Sequence, residues 1–211
     1  MTDETPNVFV GSEGELRGLY GEVGELAAQK AIPALEPHSR RFIGLSPFLC
    51  IASACADGPA DISPRGDAPG FVKVLDDHTL LIPDRVGNNR LDTFANITQN
   101  PHIGLIFLVP GMNETLRING QARICTDSEV LANFEVRGKV PITGLLVAVE
   151  EVLFQCAKAL VRSRLWDDDY RVERKSAMPP LGHIIKDQIG AKQSPDEVEA
   201  YVQTSLKERL Y

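Results

Sequence analysis

Three short clusters in the chain join an arginine to glycine, asparagine or other small neighbours. They are Ser63-Pro64-Arg65-Gly66-Asp67, Gly87-Asn88-Asn89-Arg90-Leu91-Asp92 and Thr115-Leu116-Arg117. Arginine offers a planar fork of hydrogen-bond donors, and glycine lets the backbone approach a ligand closely. The segments between the clusters have the pattern of β-strands. These residue types are suited to holding a phosphate and a polar heterocycle against a sheet.

The basic clusters are local, because the chain as a whole is acidic. Its 211 residues include 22 Lys and Arg against 29 Asp and Glu, which gives a formal net charge of −7. A nucleic-acid surface needs a broad basic face, so we expect no nucleic-acid partner. A small anionic ligand is compatible with this charge, since a basic pocket can lie inside an acidic protein.

The hydropathy pattern favours a cytoplasmic globular protein without a membrane partner. The first five residues are polar and no apolar signal core follows them, and no apolar run reaches transmembrane length. The four histidines are scattered and the four cysteines form no Cys-x-x-Cys pair. We therefore expect reduced thiols and no metal site.

Helical patterns flank a central region of strands. Residues 12–45 and the chain after residue 155 are predicted to be largely helical, and Ser194-Pro195-Asp196-Glu197 is a strong helix start. Strands are predicted at 48–54, 60–63, 71–75, 79–83, 102–109, 114–125 and 143–154, and a helix at 88–99. Roughly six strands joined by short turns suggest an antiparallel barrel with helices around it. Since no repeat or low-complexity linker occurs, we expect residues 1–211 to form one domain.

These motifs resemble the pyridoxamine 5′-phosphate oxidase-like family of FMN-binding split β-barrels. The resemblance covers about residues 42–166. It is carried by Asp-Ile-Ser-Pro-Arg-Gly-Asp at 61–67, Gly-Asn-Asn-Arg-Leu-Asp at 87–92, Asn-Pro at 100–101 and Thr-Leu-Arg-Ile-Asn-Gly at 115–120. It implies a mainly β fold, an antiparallel six-stranded split β-barrel, with helical extensions at 12–45 and 155–211. The motifs are most similar to a bacterial branch other than the vitamin B6 oxidase itself.

The resemblance also implies a cofactor and a partner. FMN would lie in a groove at the interface of a homodimer, where it meets residues of three strands and of a helix start, and Trp166. The candidate cofactor-binding residues are Ser63, Pro64, Arg65, Gly66, Asp67, Ile82, Pro83, Asn89, Arg90, Thr115, Arg117 and Trp166.

The chain departs from the vitamin B6 oxidase at two motifs. That enzyme has an Arg-x-Val-Leu-x-Lys strand, whereas this chain has an acid, Asp67, where the lysine would fall. No Arg-x-His substrate motif follows Trp166. The resemblance therefore implies FMN but leaves the small-molecule substrate open.

Several candidates also have an ordinary structural interpretation. Arg65 could be a surface turn residue and Arg117 a solvated strand residue. Asn88 could cap the helix and leave Arg90 exposed, although a helix start also suits a phosphate. Asp67, like Asp92, is more simply interpreted as a carboxylate that orients an arginine.

The resemblance and the residues together predict an FMN-dependent oxidoreductase, in which the cofactor carries the redox chemistry and no side chain stands out as an acid or base. One alternative is a flavin-binding or flavin-storage protein without turnover. Another is a dimeric split-barrel module that binds haem or a deazaflavin. Reduction of bound flavin by NAD(P)H distinguishes the first two, and a protein that takes up no FMN favours the third.

Overall fold

The computed structural model describes residues 9–211 and divides the chain into two compact units. In the first unit, which ends at Ala31, it describes two short helices, α1 (Glu13–Tyr20) and α2 (Glu25–Gln29). Ser12 caps the start of α1, because its hydroxyl accepts a hydrogen bond from the backbone N–H of Glu15. The first five residues, on which the expectation of a cytoplasmic protein partly rests, lie outside the described range.

The second unit, Ile32–Tyr211, combines an antiparallel sheet with helices, as predicted. Its strands are β1 (Phe48–Ala54), β2 (Ala60–Gly66), β3 (Lys73–Val74), β4 (Thr79–Pro83), β5 (His102–Leu108), β6 (Thr115–Cys125) and β7 (Gly144–Gln155). Its helices are α3 (Pro37–Leu45), α4 (Asp92–Gln99), α5 (Ser128–Ala132), α6 (Lys158–Ser163), α7 (Arg174–Ala177), α8 (Leu181–Ile189) and α9 (Pro195–Glu208), and a 3-10 turn spans Asp168–Tyr170. None of the helices in residues 9–211 has the length and apolar character needed to cross a membrane.

The sheet has seven strands, one at each of the seven predicted strand segments, whereas the split barrel that the resemblance implies has six. Their order is β2-β1-β5-β6-β7-β4-β3, and each adjacent pair is antiparallel. β3 has two residues, lies inside the strand predicted at 71–75, and pairs with β4. The two ends of this order, β2 and β3, are not paired with each other in the described structure, so the sheet is not closed by backbone hydrogen bonds.

The open sheet nevertheless curls back towards its own edge. β2 and β4 are five strand spacings apart, which in a flat sheet would be about 24 Å. Yet Arg65 of β2 donates a hydrogen bond of 2.7 Å to Asp84, the residue after β4. The curl therefore brings the ends of β2 and β4 together, and the candidate site lies at that junction.

One apolar cluster fills the inner face of the curled sheet. Every second residue of the central strands belongs to it, including Leu49 and Ile51 of β1, Leu105 and Phe107 of β5, and Leu116 and Ile118 of β6. Burial of each such side chain contributes about 1.5–3 kcal/mol. The observed bounds of β1 and β4 are the predicted ones, although β4 is buried along nearly its whole length and does not alternate.

Gly120 allows β6 to pass unusually close to β7. The pairing register shifts at this point, because Asn119 lies opposite Glu151 whereas Gly120 lies opposite Val149. A Cβ atom at Gly120 would stand 2.1 Å from the carbonyl oxygen of Ala148. The irregularity therefore requires glycine, and such bulges increase the local bend of a sheet.

The helix predicted at 88–99 begins four residues later than expected. Asp92 is its first residue and Leu91 precedes it with a φ of 59°, in the left-handed region. Asn89 also has a φ of 59°. Asn88 does not cap the helix, since its side-chain oxygen accepts a hydrogen bond from the backbone N–H of Arg90. Residues 84–91 thus form a loop, called here the β4–α4 loop.

Candidate ligand-binding cavity

A cavity of about 510 Å³ opens between β2, the β4–α4 loop and the start of α4. Seven of the predicted site residues line it, namely Ser63, Pro64, Arg65, Gly66, Pro83, Asn89 and Arg90. The first two sequence clusters therefore meet in one site. The curl of the sheet is what unites them, since β2 and β4 are distant in strand order.

The alternation of an edge strand directs β2 side chains to the cavity. Asp61, Ser63 and Arg65 are partly buried, whereas Ile62 and Pro64 between them are exposed. The hydroxyl of Thr93, near the start of α4, donates a hydrogen bond of 3.3 Å to Asp61. α4 is thereby tied to β2 where the two elements form the cavity wall.

Arg65 is held in place from two sides. Its Nη1 donates to Asp84 Oδ1 across 2.7 Å, and its Cζ lies 5.7 Å from the centroid of the Phe94 ring. Its side chain is 20% exposed. The Nε atom is buried, and no acceptor lies within hydrogen-bonding distance among residues 9–211. Arg65 is therefore a fixed guanidinium with unused donor capacity, and not the solvated turn residue considered as the alternative.

The carboxylate that holds Arg65 is itself in an unfavourable environment. Burial raises the pKa of the Asp84 carboxyl above its ordinary value of 3.8, although the Arg65 guanidinium acts in the opposite direction. Removal of a buried ion from water outweighs the attraction of its partner here. Asp84 therefore fixes the position of Arg65 without being strongly stabilised by it.

A second ion pair lies beside the first, but here the acid follows β2 and the arginine belongs to the loop. Asp67, just after β2, accepts a hydrogen bond of 2.7 Å from Arg85 Nε, and its side chain is only 4% exposed. Burial alone would raise the pKa of Asp67, but hydrogen bonds from Ala68, Tyr211 and Arg85 outweigh it and lower the pKa. Asp67 thus orients an arginine, and it does not line the cavity. We call the pairs Arg65–Asp84 and Asp67–Arg85 the seam.

The β4–α4 loop supplies further hydrogen-bond donors. Arg90 is 72% exposed and uses Nε to bind Asp92, in agreement with the orienting role considered for that aspartate. No other hydrogen bond of the Arg90 guanidinium is present in the described part of the chain. No side chain caps the start of α4, so its first backbone N–H groups also lack a side-chain acceptor. The loop and helix start together are suited to an anionic group.

The other predicted site residues lie elsewhere in this chain, and none of Ile82, Asp67, Thr115, Arg117 and Trp166 lines the cavity. Ile82 is buried in the core, and Thr115 is buried at the start of β6. The indole N–H of Trp166 donates a hydrogen bond of 2.8 Å to the carbonyl oxygen of Met112, in the turn before β6.

Arg117 is exposed on the face of the sheet opposite Arg65. The strand register places Arg65, Leu49, Phe107 and Leu116 in one row across β2, β1, β5 and β6. Arg117 belongs to the next row, which also contains Pro64, Cys50 and Ile106. Because alternate residues point to opposite faces, Arg117 and Arg65 lie on opposite faces of the sheet, and Arg117 does not line the cavity of its own chain.

Sequence reasoning missed several residues of the site, including Asp84, Arg85, Phe94 and Leu210. Asp84 and Arg85 directly follow a predicted strand and precede the Asn89-Arg90 cluster. Their position in the sequence could therefore have indicated that they belong to the site. Leu210 gave no signal, because its neighbours in space are more than a hundred residues away in sequence.

The lining combines charge with flat apolar surface. Three aspartates and three arginines contribute to it, namely Asp61, Asp84, Asp92, Arg65, Arg85 and Arg90, alongside Phe71, Pro83, Val86, Leu91, Phe94 and Leu210. Such a site suits a ligand with an anionic part and an apolar part. Within residues 9–211, no group of three or more His, Cys, Asp or Glu is placed to hold a metal ion.

Comparison with solved structures gives several similar proteins. HupZ from Group A Streptococcus is 19% identical, with 57% of this chain and 93% of that chain covered and a TM-score of 0.47. HutZ, the haem storage protein from Vibrio cholerae, is 17% identical, with 57% and 93% covered and a TM-score of 0.41. General Stress Protein 26 from Bacillus anthracis is 14% identical, with 56% and 93% covered and a TM-score of 0.40.

A sequence comparison with curated proteins gives no match. Residues 35–156, by contrast, match the sequence profile described as pyridoxamine 5′-phosphate oxidase. The matched segment begins before α3 and includes the whole sheet and the cavity residues on β2, the β4–α4 loop and α4. It spans more than half of the 211 residues, and the chain therefore belongs to the pyridoxamine 5′-phosphate oxidase family.

Proposed function

We propose that the cavity binds FMN and that the protein is an FMN-dependent oxidoreductase built on a split barrel. The observation that carries this proposal is the state of Arg65, a fixed guanidinium whose buried Nε has no acceptor in the described chain. A buried donor without an acceptor is costly, and an anionic ligand would satisfy it. Membership of the pyridoxamine 5′-phosphate oxidase family supports the choice of a flavin.

The cavity residues fit both parts of FMN. The phosphate needs charge-assisted donors, which Arg65, Arg90 and the backbone of the β4–α4 loop can supply. The flavin ring needs a flat apolar contact, which Pro83 and Val86 offer. The hydroxyl of Ser63 and the amide of Asn89 add polar groups that would fix orientation.

In this proposal the protein binds and orients, and bound FMN supplies the hydride and electron transfer. Asp84 and Phe94 keep the Arg65 guanidinium at one position, so little side-chain freedom is lost when an anion binds. Asp92 does the same for Arg90, although this pair is exposed to solvent and its effect is smaller.

We propose further that a homodimer completes the site. Thr115, Arg117 and Trp166 do not line the cavity of their own chain, but a second subunit could bring its own copies to it. The outer face that carries Arg117 also has partly exposed apolar residues such as Ile106 and Leu153. β2, at one edge of the sheet, presents Ile62, a residue that is 70% exposed. A two-fold dimer would cover such a face.

The absorption spectrum of the purified protein tests the proposed function. We expect added FMN to give shifted, protein-bound flavin bands that bleach when NAD(P)H is supplied. Bound bands that persist with NAD(P)H would support flavin binding and contradict the proposed use of this electron donor. A protein that takes up no FMN would contradict the flavin assignment as a whole.

A further inference from the structure

Residues 209–211 run from the end of α9 along one side of the cavity. Arg209 Nη2 donates a hydrogen bond of 3.1 Å to the carbonyl oxygen of Gly87 in the β4–α4 loop. Leu210 is part of the cavity lining. Tyr211 continues to the seam. We call these three residues the tail segment.

The tail segment is anchored through Tyr211. Its hydroxyl donates a hydrogen bond of 2.9 Å to Asp67 Oδ1, an acceptor that is almost completely buried. The guanidinium carbons of Arg85 and Arg137 lie 5.8 and 5.0 Å from the centroid of the Tyr211 ring. A hydrogen bond to a carboxylate and two cation–π contacts form a specific seat for one aromatic residue.

This seat is built from the same seam that holds Arg65. Arg85 binds Asp67 and contacts the Tyr211 ring, and it directly follows Asp84, the partner of Arg65. Arg85 also donates a hydrogen bond of 2.8 Å to the carbonyl oxygen of Phe134, which holds it from the other side. The anchor of the tail segment and the proposed phosphate-binding arginine thus depend on two consecutive residues of one loop.

From this placement we infer that the tail segment is a ligand-retaining wall of the cavity. Leu210 contacts the apolar part of the ligand, and Tyr211 is the positioning residue that keeps Leu210 there. The inference rests on the proposed function, since the ligand is taken to be FMN. With the tail segment seated the cavity measures about 510 Å³, so the segment lines the site and does not fill it.

The dissociation rate of FMN tests this inference. The FMN-loaded protein is mixed with an excess of another FMN-binding apoprotein, which captures the FMN that is released. Flavin fluorescence then follows the release. Tyr211→Ala should release FMN about tenfold faster or more, because it removes a hydrogen bond to a charged group together with the ring contacts. Tyr211→Phe keeps the ring and should show a smaller increase. Leu210→Ala should also accelerate release.

Tyr201→Ala is the matched control, since Tyr201 lies on α9 and is 69% exposed. It should release FMN at the wild-type rate. Wild-type release rates in both Tyr211→Ala and Leu210→Ala would overturn the inference and leave the proposed function intact. A wild-type protein that binds no FMN would overturn the proposed function, and with it the role of the tail segment in retention.

Hydrogen exchange of the ligand-free protein gives a second readout that does not depend on FMN. In Tyr211→Ala, exchange should be faster in peptides covering the β4–α4 loop and the tail segment, and unchanged in β5 and β6, which would show that the fold is intact. Equal exchange in wild type and Tyr211→Ala at both places would mean that Tyr211 does not anchor the segment, and would overturn the inference.

Discussion

The two ion pairs of the seam have opposite polarity. β2 and the residue after it supply an arginine and an aspartate, Arg65 and Asp67, and the β4–α4 loop supplies Asp84 and Arg85 as their partners. Removing one member of such a partly buried pair leaves the other without compensation, which is costly. The seam therefore fixes β2 against the loop and keeps one guanidinium in position to bind an anion.

Arg65→Ala is expected to weaken FMN binding by about 1.5–3 kcal/mol, the value of a hydrogen bond to a charged group. Arg65→Lys should recover part of the loss, because the charge remains but the planar fork does not. The measurement is a fluorescence titration with FMN, with circular dichroism to confirm folding. Arg164→Ala, which removes an exposed arginine paired with Asp167 and Asp169, is the control. Unchanged affinity in Arg65→Ala would remove Arg65 from the site.

The pH dependence of stability should differ between the two seam aspartates. Hydrogen bonds lower the folded-state pKa of Asp67, so its contribution is present above its unfolded pKa of about 3.9 and is lost as the pH falls through the folded pKa. Burial raises the folded-state pKa of Asp84, so the folded chain binds that proton first and gains stability as the pH falls.

Asp67→Asn should therefore cost most at neutral pH and progressively less below about pH 4, whereas the cost of Asp84→Asn should grow as the pH falls from neutral towards about 4 and then level off. Urea unfolding of both variants and of wild type at pH 7 and at about pH 3.5 measures these differences. A parallel change in the two variants would contradict the opposite pKa shifts.

At the scale of elements, the sequence predicts the strands well and the loop between β4 and α4 poorly. Apolar runs and the turns at their ends locate β1 and β4 correctly. The predicted helix start at residue 88 is wrong, because Asn89 and Leu91 adopt left-handed conformations. Leucine rarely does so, and nothing in its local pattern indicates it. That loop supplies eight of the twenty residues that line the cavity, so part of the site depends on a conformation that local rules do not predict.

Gly120→Ala should destabilise the sheet, because its Cβ would collide with the backbone of β7. The expected loss is about 1–3 kcal/mol in the free energy of unfolding, the usual cost of overpacking, or more if the backbone cannot move. Gly44→Ala is the matched control: Gly44 lies in α3 with open space around its Cβ position, and alanine there should stabilise by up to about 1 kcal/mol. Urea unfolding followed by circular dichroism compares them, and equal stabilities would contradict the close approach.

For the molecule as a whole, the contacts that assemble the site link residues far apart in the sequence. Strand patterns do not show which edges meet when a sheet curls, so the pairing of Arg65 with Asp84 was not predictable. The same holds for the seat of Tyr211 on Asp67. Motif positions did predict seven lining residues, because glycine, asparagine and arginine are recognisable at strand ends and loops.

If a homodimer completes the site, two defective subunits should complement each other. Arg65→Ala removes a residue of one wall, and Arg117→Ala removes a residue that the partner would contribute. A mixed dimer of these two variants keeps one intact site, so equal mixing after unfolding and refolding should restore about a quarter of the FMN sites. Restoration is measured by fluorescence titration. Binding no stronger than the average of the two unmixed variants would contradict a shared site.

In the proposed function, the cavity recognises the phosphate of FMN through its arginines and loop donors. The most direct measurement is a parallel fluorescence titration of the wild-type protein with FMN and with riboflavin, which has the same ring and no phosphate. We expect riboflavin to bind at least about tenfold more weakly, since it forfeits charge-assisted hydrogen bonds. Equal affinity for the two, or no binding of either, would contradict the proposed site.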